Sequence, residues 1–409
     1  MSSNRIRLNP SAHTWAFEGR QGKGDEEATA RVLPFHKSLP DYAETPLRAL
    51  PAFLARDLGV GRVLLKDESN RFGLPAFKIL GASWAVYRAV SSHLGLSSSP
   101  SESGSYDRGI SLADLGARAR SAGLSVVTAT EGNCGRAVAR TAARDLGIPT
   151  RVLVPRYMAA GTRDLIRGEE PRLVEVVEVD GSYEDAVLAM RTEAAKASEV
   201  GATDAHENVN VIPILDVSYE GYETVPDYFV QGYSTMLTES DRQVLEATAG
   251  QAATHAIVPC GAGSIAQAVT EHFKSPSRRA PPTAVIAVEP TTAACLQASL
   301  RAGQSVSVPT ADTICCGMNC GVLSSTAWPV LREGVDASVV VDDGEVHRAV
   351  SGLKDEYGGI LAGPCGAATL AALRRVCADE EARSSLGVGG DSVVVLYCTE
   401  GTREYVIPA

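Results

Sequence analysis

Three segments of this 409-residue sequence hold residue types at spacings that could do chemistry. In the first, Lys66-Asp67-Glu68-Ser69-Asn70-Arg71-Phe72-Gly73-Leu74-Pro75-Ala76-Phe77-Lys78, an apolar pair precedes Lys78 at the start of a helix-like stretch. Partial burial and a nearby helix N-terminus both disfavour the ammonium, which leaves an amine suited to Schiff-base chemistry; the plain alternative is a surface lysine beside a turn. The second, Cys260-Gly261-Ala262-Gly263-Ser264-Ile265-Ala266, follows the apolar run His255–Pro259 and opens a helix-like stretch. Glycines at such a turn let backbone N–H groups approach a phosphate, and the helix dipole favours its charge. Gly261-x-Gly263-x-x-Ala266 fits a dinucleotide fingerprint, with Glu289 as ribose ligand, and equally fits one phosphate monoester such as pyridoxal phosphate (PLP). The third, Ala129-Thr130-Glu131-Gly132-Asn133-Cys134-Gly135, is another glycine-bearing strand-to-helix turn. Asn133 could donate to a phenolate there or serve as a helix N-cap, and the turn's N–H groups could hold a carboxylate.

Continuous apolar runs must position these turns: Gly61–Leu65, Ser125–Ala129, Arg151–Val154, Leu173–Val177, Ala256–Val258, Ala284–Val288 and Ser392–Leu396. Runs without alternation read as strands covered on both faces. Alanine-rich, helix-favouring stretches such as Asn133–Gly147 and Tyr183–Val200 lie between them, so the expected class is α/β with mostly parallel sheets flanked by helices. Ser97–Gly109 reads as a surface loop, and Lys274–Pro282 as a polar connection between helix and strand. A chain of 409 residues exceeds what one core usually supports, so two domains are expected: a large one of residues 1–88 and 225–409, and a small one of 89–224.

Composition excludes several classes. A net charge of −11 and only 5% aromatic residues argue against nucleic-acid binding. No apolar run reaches membrane-spanning length, and the first residues lack the apolar stretch of a secretory signal, so the expectation is a cytoplasmic protein with no membrane partner. Nine cysteines without Cys-x-x-Cys spacing and seven scattered histidines indicate neither a metal site nor a disulfide framework.

On these motifs the chain resembles the fold type II PLP enzymes, the group of threonine dehydratase and cysteine synthase, and within it the diaminopropionate ammonia-lyase family. Lys66 to Gly81 (KDESNRFGLPAFKILG) is similar to that family's lysine motif, and Ala129 to Val138 (ATEGNCGRAV) resembles its aspartate-glycine-asparagine-histidine-glycine turn. Glu220-Gly221-Tyr222, Gln231-Gly232-Tyr233, Val288-Glu289-Pro290 and Thr399-Glu400-Gly401 continue the match. The resemblance implies PLP as cofactor, with Lys78 as Schiff-base lysine, Phe77 beside it, and Gly261, Ala262, Gly263 and Ser264 on the phosphate. It implies Asn133 at the cofactor's 3′-oxygen and Thr399, or else Cys398, at the pyridine nitrogen. Lys78 and Glu131 become a pair of bases, Asp216 a contact of the substrate amine, and Thr130, Gly132 and Cys134 further substrate contacts. The implied reaction is β-elimination from a small amino acid, 2,3-diaminopropionate first, to pyruvate and ammonia, in a homodimer.

Three departures cluster around the implied substrate pocket. Glu131 replaces aspartate, Cys134 replaces histidine, and Pro364-Cys365-Gly366-Ala367 stands for glutamate-serine-glycine-alanine, which removes a carboxylate. They leave open another β-substituted alanine as substrate, a dehydratase, or a β-replacement synthase that shares the early steps. An NAD-dependent oxidoreductase resting on the Gly261 turn would leave Lys78 and Asn133 without a role, and a non-catalytic PLP or amino-acid binder is the remaining alternative. Cys295 and Cys320 are expected as reduced thiols, with their pairing the alternative.

Overall fold

All seven apolar runs form strands in the structure, a computed structural model that describes residues 5–19, 24–96, 110–203, 210–278 and 280–408. In chain order the strands are β1 (Ile6–Leu8), β2 (Leu47–Ala49), β3 (Arg62–Asp67), β4 (Leu124–Ala129), β5 (Thr150–Pro155) and β6 (Val174–Val179). They continue with β7 (Asn210–Pro213), β8 (His255–Pro259), β9 (Ala284–Pro290), β10 (Ala337–Val341) and β11 (Val393–Cys398). The four unread in the sequence are β1, β2, β7 and β10. The loop expected at Ser97–Gly109 lies outside the described residues, whereas Lys274–Pro282 does connect the helix Ser264–Phe273 to β9.

The strands fall into two compact units. One comprises Met1–Leu80, Val217–Glu223 and Tyr233–Ala409; the other comprises Gly81–Asp216 and Thr224–Gly232. The chain leaves the first unit at Leu80, inside the helix Lys78–His93, earlier than residue 88.

The first unit is built on a seven-stranded sheet of order β1-β10-β9-β8-β11-β3-β2. The five central strands are parallel, and the three-residue edge strands β1 and β2 pair antiparallel. Valine, isoleucine and leucine fill the centre because helices cover both faces. Its apolar core includes Leu65, Ile257, Val288, Val394 and Leu396 with Leu370 and Leu373 of the helix Pro364–Ala378. Strand order places β9 and β10 to one side of β8, and β11 and β3 to the other. In open parallel sheets the crevice at such a reversal, outside the strands' carboxyl ends, is where ligands bind.

The second unit carries a four-stranded parallel sheet of order β6-β5-β4-β7. Val152, Val154, Met158 and Ile166 pack there with Ala139 and Ala143. The alanine-rich stretch after Asn133 is one α-helical segment, Asn133–Ala139, that widens into a π-helical turn at Arg140–Asp145.

Candidate active site

Lys78 is half-buried and is the first residue of the helix Lys78–His93, at the end of a loop that begins where β3 stops. That loop is fixed from two directions. One is a tight turn: the Arg71 N–H donates to the Leu74 carbonyl at 2.8 Å and the Leu74 N–H returns the bond at 2.9 Å. Its central residues Phe72 and Gly73 have φ of 53° and 71°, a backbone unusual for phenylalanine. Burial of the Phe72 ring near His36 and Tyr42 holds it there. The other is the end of β11, where Phe77 N–H donates to the Thr399 carbonyl at 3.1 Å and Gly401 N–H to the Pro75 carbonyl at 2.9 Å. The Phe77 ring is buried, 4.8 Å from that of Tyr233, and the Lys78 ammonium nitrogen lies 5.3 Å from the Phe77 centroid.

Beneath the loop lies an ionic cluster that single-residue reading did not find. Arg71 Nε donates to Glu68 Oε2 at 2.8 Å, and its terminal nitrogens donate to both Glu239 oxygens at 2.9 and 2.7 Å. Lys66 Nζ donates to Glu239 Oε2 at 2.9 Å and to the Thr45 carbonyl at 2.7 Å. All four charged side chains are buried, so each depends on its partners.

Two strands over from β3, the turn Gly261–Ser264 joins β8 to the helix Ser264–Phe273. Gly263 caps that helix with φ of 102°, and no side chain supplies the cap bond. A Cβ on Gly263 would lie 2.8 Å from the Ala327 Cβ, and one on Gly261 would lie 3.1 Å from the Gly317 carbonyl oxygen. Only glycine keeps the backbone that close, and the Ser324 N–H braces the turn through the Ala262 carbonyl at 2.8 Å. A helix start whose cap residue is glycine, with no side-chain cap bond, fits a phosphate. Cys398 ends the intervening strand β11 and Thr399 follows it, both buried. Cys398 belongs to the apolar core: its sulfur would be 2.7 Å from a Cβ on Gly366 and faces the Glu400 carbonyl at 3.6 Å. The turn, the strand end and Lys78 thus follow three neighbouring parallel strands, β8, β11 and β3, at the order reversal. These residues fit PLP.

Glu289 is not placed to receive a ribose. Its buried carboxylate accepts from the Leu296 and Gln297 N–H groups at 2.7 and 2.9 Å, at the start of the helix Cys295–Ala302. Burial lifts its pKa to about 7 against those bonds. All nine cysteines are free thiols, Cys295 and Cys320 included. The helix Pro364–Ala378 keeps a carboxylate at its start despite the Pro364-Cys365 change, because Glu400 Oε1 accepts from the Cys365 N–H at 3.1 Å. Burial raises the pKa of that carboxyl too.

In the second unit the Thr130–Gly135 turn follows β4. The Thr130 hydroxyl, buried, accepts from the Gly132 and Gly135 N–H groups at 3.0 and 2.9 Å. That bond pair shapes the turn, and a Cβ on Gly135 would collide with Thr130 Cγ2. Gly132, with φ of 151°, is the cap of the helix Asn133–Ala139, so Asn133 is its first helical residue and not its N-cap. Glu131 and Asn133 are half-buried, and Cys134 is buried. Asp216, also buried, follows β7, which pairs with β4. Tyr157, beyond β5, donates its phenol to Glu131 Oε1 at 2.6 Å, a partner that sequence spacing gave no means to find. Among the described residues no group of three or more His, Cys, Asp or Glu side chains could hold a metal, and no helix is long and apolar enough to cross a membrane.

Known proteins share both the sequence and the architecture. The pyridoxal-phosphate dependent enzyme family matches residues 39–399. A diaminopropionate ammonia-lyase of Salmonella typhimurium is 36% identical over 322 residues, 76% of this chain and 72% of that one. One from Escherichia coli is 30% identical over 402 residues, 95% of this chain and 92% of that one. A crystal structure of diaminopropionate ammonia lyase from Escherichia coli, in complex with an aminoacrylate–PLP azomethine reaction intermediate, superposes with a TM-score of 0.76 at 26% identity, covering 98% of this chain and 94% of that one. The architecture is that of fold type II, and PLP is the cofactor that the family uses. The chain belongs to the diaminopropionate ammonia-lyase family of pyridoxal-phosphate dependent enzymes.

Proposed function

We propose that this chain eliminates ammonia from 2,3-diaminopropionate, the net reaction with water giving pyruvate and two molecules of ammonia. The observation that carries the proposal is the convergence, at the reversal in strand order, of Lys78, the Gly261–Ser264 turn and Thr399 behind three adjacent parallel strands. Lys78 would hold the cofactor covalently, with Phe77 beside it. Gly261, Ala262, Gly263 and Ser264 would take its phosphate, Asn133 its 3′-oxygen, and Thr399 its pyridine nitrogen. Cys398 is the weaker choice for that nitrogen because its sulfur is already packed against Gly366. When bound, PLP supplies an electron-withdrawing ring that acidifies the substrate's Cα–H.

The chain's own residues supply the rest. Asp216 orients the substrate through its amine, and the turn Thr130–Cys134 receives the carboxylate. Lys78 and Glu131 remove the Cα proton, one from each enantiomer, and a positioned base of this kind contributes roughly 10²–10⁴-fold. The family resemblance further supports a homodimer and a cytoplasmic location; analytical ultracentrifugation tests the first.

The function is tested by pyruvate and ammonia release from PLP-loaded protein given D- and L-2,3-diaminopropionate, with D- and L-serine and L-threonine alongside. Release from both diaminopropionate enantiomers, reduced at least about a thousandfold in Lys78→Ala, is the expected result. Loaded protein that releases neither product from either enantiomer would overturn the substrate assignment.

A further inference from the structure

We infer that Tyr157 is a positioning residue for Glu131, fixing the longer side chain of the second base and so governing turnover of only one substrate enantiomer. The inference rests on the reading of Glu131 as a base. Both residues follow neighbouring parallel strands, Glu131 after β4 and Tyr157 after β5, and the Thr130 N–H to Leu153 carbonyl bond of 3.1 Å locks those strand ends together. The phenol donates to Glu131 Oε1 at 2.6 Å, the short distance of a charge-assisted O–H···O⁻ bond. Covering of the hydroxyl first, then the Glu131 bond and charge and the Glu184 charge, raise the Tyr157 pKa; a hydrogen bond from the Tyr183 backbone acts the other way.

A glutamate has one more rotatable bond than an aspartate, so its carboxylate sweeps a larger volume unless a partner holds it. The bond from Tyr157 to one oxygen fixes where the carboxylate stands, and so where it meets a proton. Misplacement of a reacting group by an ångström is costly, so the tether should show in kcat more than in KM. The Tyr157 residue is 65% exposed and its ring has little packing to lose, which separates a positioning role from a structural one.

The test uses the PLP-loaded full chain and both enantiomers of 2,3-diaminopropionate. Tyr157→Phe should lower kcat roughly tenfold for the enantiomer that Glu131→Gln abolishes, with KM and the other enantiomer little changed. In a Glu131→Asp background, whose carboxylate is too short for the bond, Tyr157→Phe should add nothing. Independently of turnover, NMR of protein carrying ζ-¹³C-tyrosine should show a phenol, identified by its loss in Tyr157→Phe, that titrates above the ordinary tyrosine range and returns toward it in Glu131→Gln. If Glu131→Gln abolishes one enantiomer while Tyr157→Phe affects neither, or both equally, the positioning role is wrong and the base assignment stands. If Glu131→Gln spares both enantiomers, the base assignment fails and the inference with it.

Discussion

Arg71 gives the sharpest test of how the Lys78 loop is held. Two cations, Lys66 and Arg71, face two carboxylates, Glu68 and Glu239, in a buried and balanced set. Replacing Arg71 by methionine fills much of the volume but removes one positive charge and the bonds to Glu68, Glu239 and the Thr45 hydroxyl. Breaking a buried pair from one side costs roughly 3–5 kcal/mol, mostly because a charge is left uncompensated. Because Arg71 lies in the loop itself, that cost should appear as local opening of Lys66–Leu80. At about 1.4 kcal/mol per decade, hydrogen exchange there should accelerate roughly two to three and a half decades. Exchange mass spectrometry of peptides from this segment measures it directly, with β9 peptides as an internal reference. Adding Glu68→Gln to Arg71→Met restores charge balance and should recover part of the protection. Exchange within about tenfold of the unmodified protein, or a double variant that opens further, would refute the argument that uncompensated charge is what matters.

Two further predictions address the turn and the sheet behind it. Gly263→Ala places a Cβ 2.8 Å from Ala327 at a φ of 102°, so it should cost roughly 1–3 kcal/mol and weaken PLP binding about tenfold or more, read by fluorescence titration. Unchanged affinity would remove the turn from the phosphate site. Glu289 has a folded pKa of about 7 against an ordinary 4.5, so between those values the folded chain holds a proton that the unfolded chain has released. Its contribution to stability therefore falls as pH rises through that window, by at most about 1.4 kcal/mol per unit. Glu289→Gln should flatten this part of the pH dependence of urea unfolding between pH 5 and 7; an unaltered slope would contradict it.

What the sequence could and could not disclose follows from which interactions are local. Strands such as β3 and β11 were legible because their residues are covered on both faces and run without alternation. The central strand β10 has the same character over Ser338–Val341, yet it sits behind Asp336, whose carboxylate looks like loop chemistry in one dimension. In three dimensions that carboxylate accepts the Val285 N–H at 2.7 Å and Lys274 at 2.8 Å, so a polar residue is part of the sheet's frame. β7 ends in proline at the sheet edge, and β1 and β2 have three residues each, too few to establish a period. The same division runs through the site. Lys78, Asn133 and the Gly261 turn announce themselves because a lysine or glycine at a strand-to-helix junction is a local pattern. Tyr157 stands 26 positions from Glu131, and Glu239 stands 173 from Lys66, distances that no window spans. The groups expected to do chemistry were therefore readable, while those that hold them in place were not. A substitution such as Glu131 for aspartate cannot be weighed from its own position: one methylene is a defect if the carboxylate swings freely, and an adjustment if a phenol 2.6 Å away fixes where it stops.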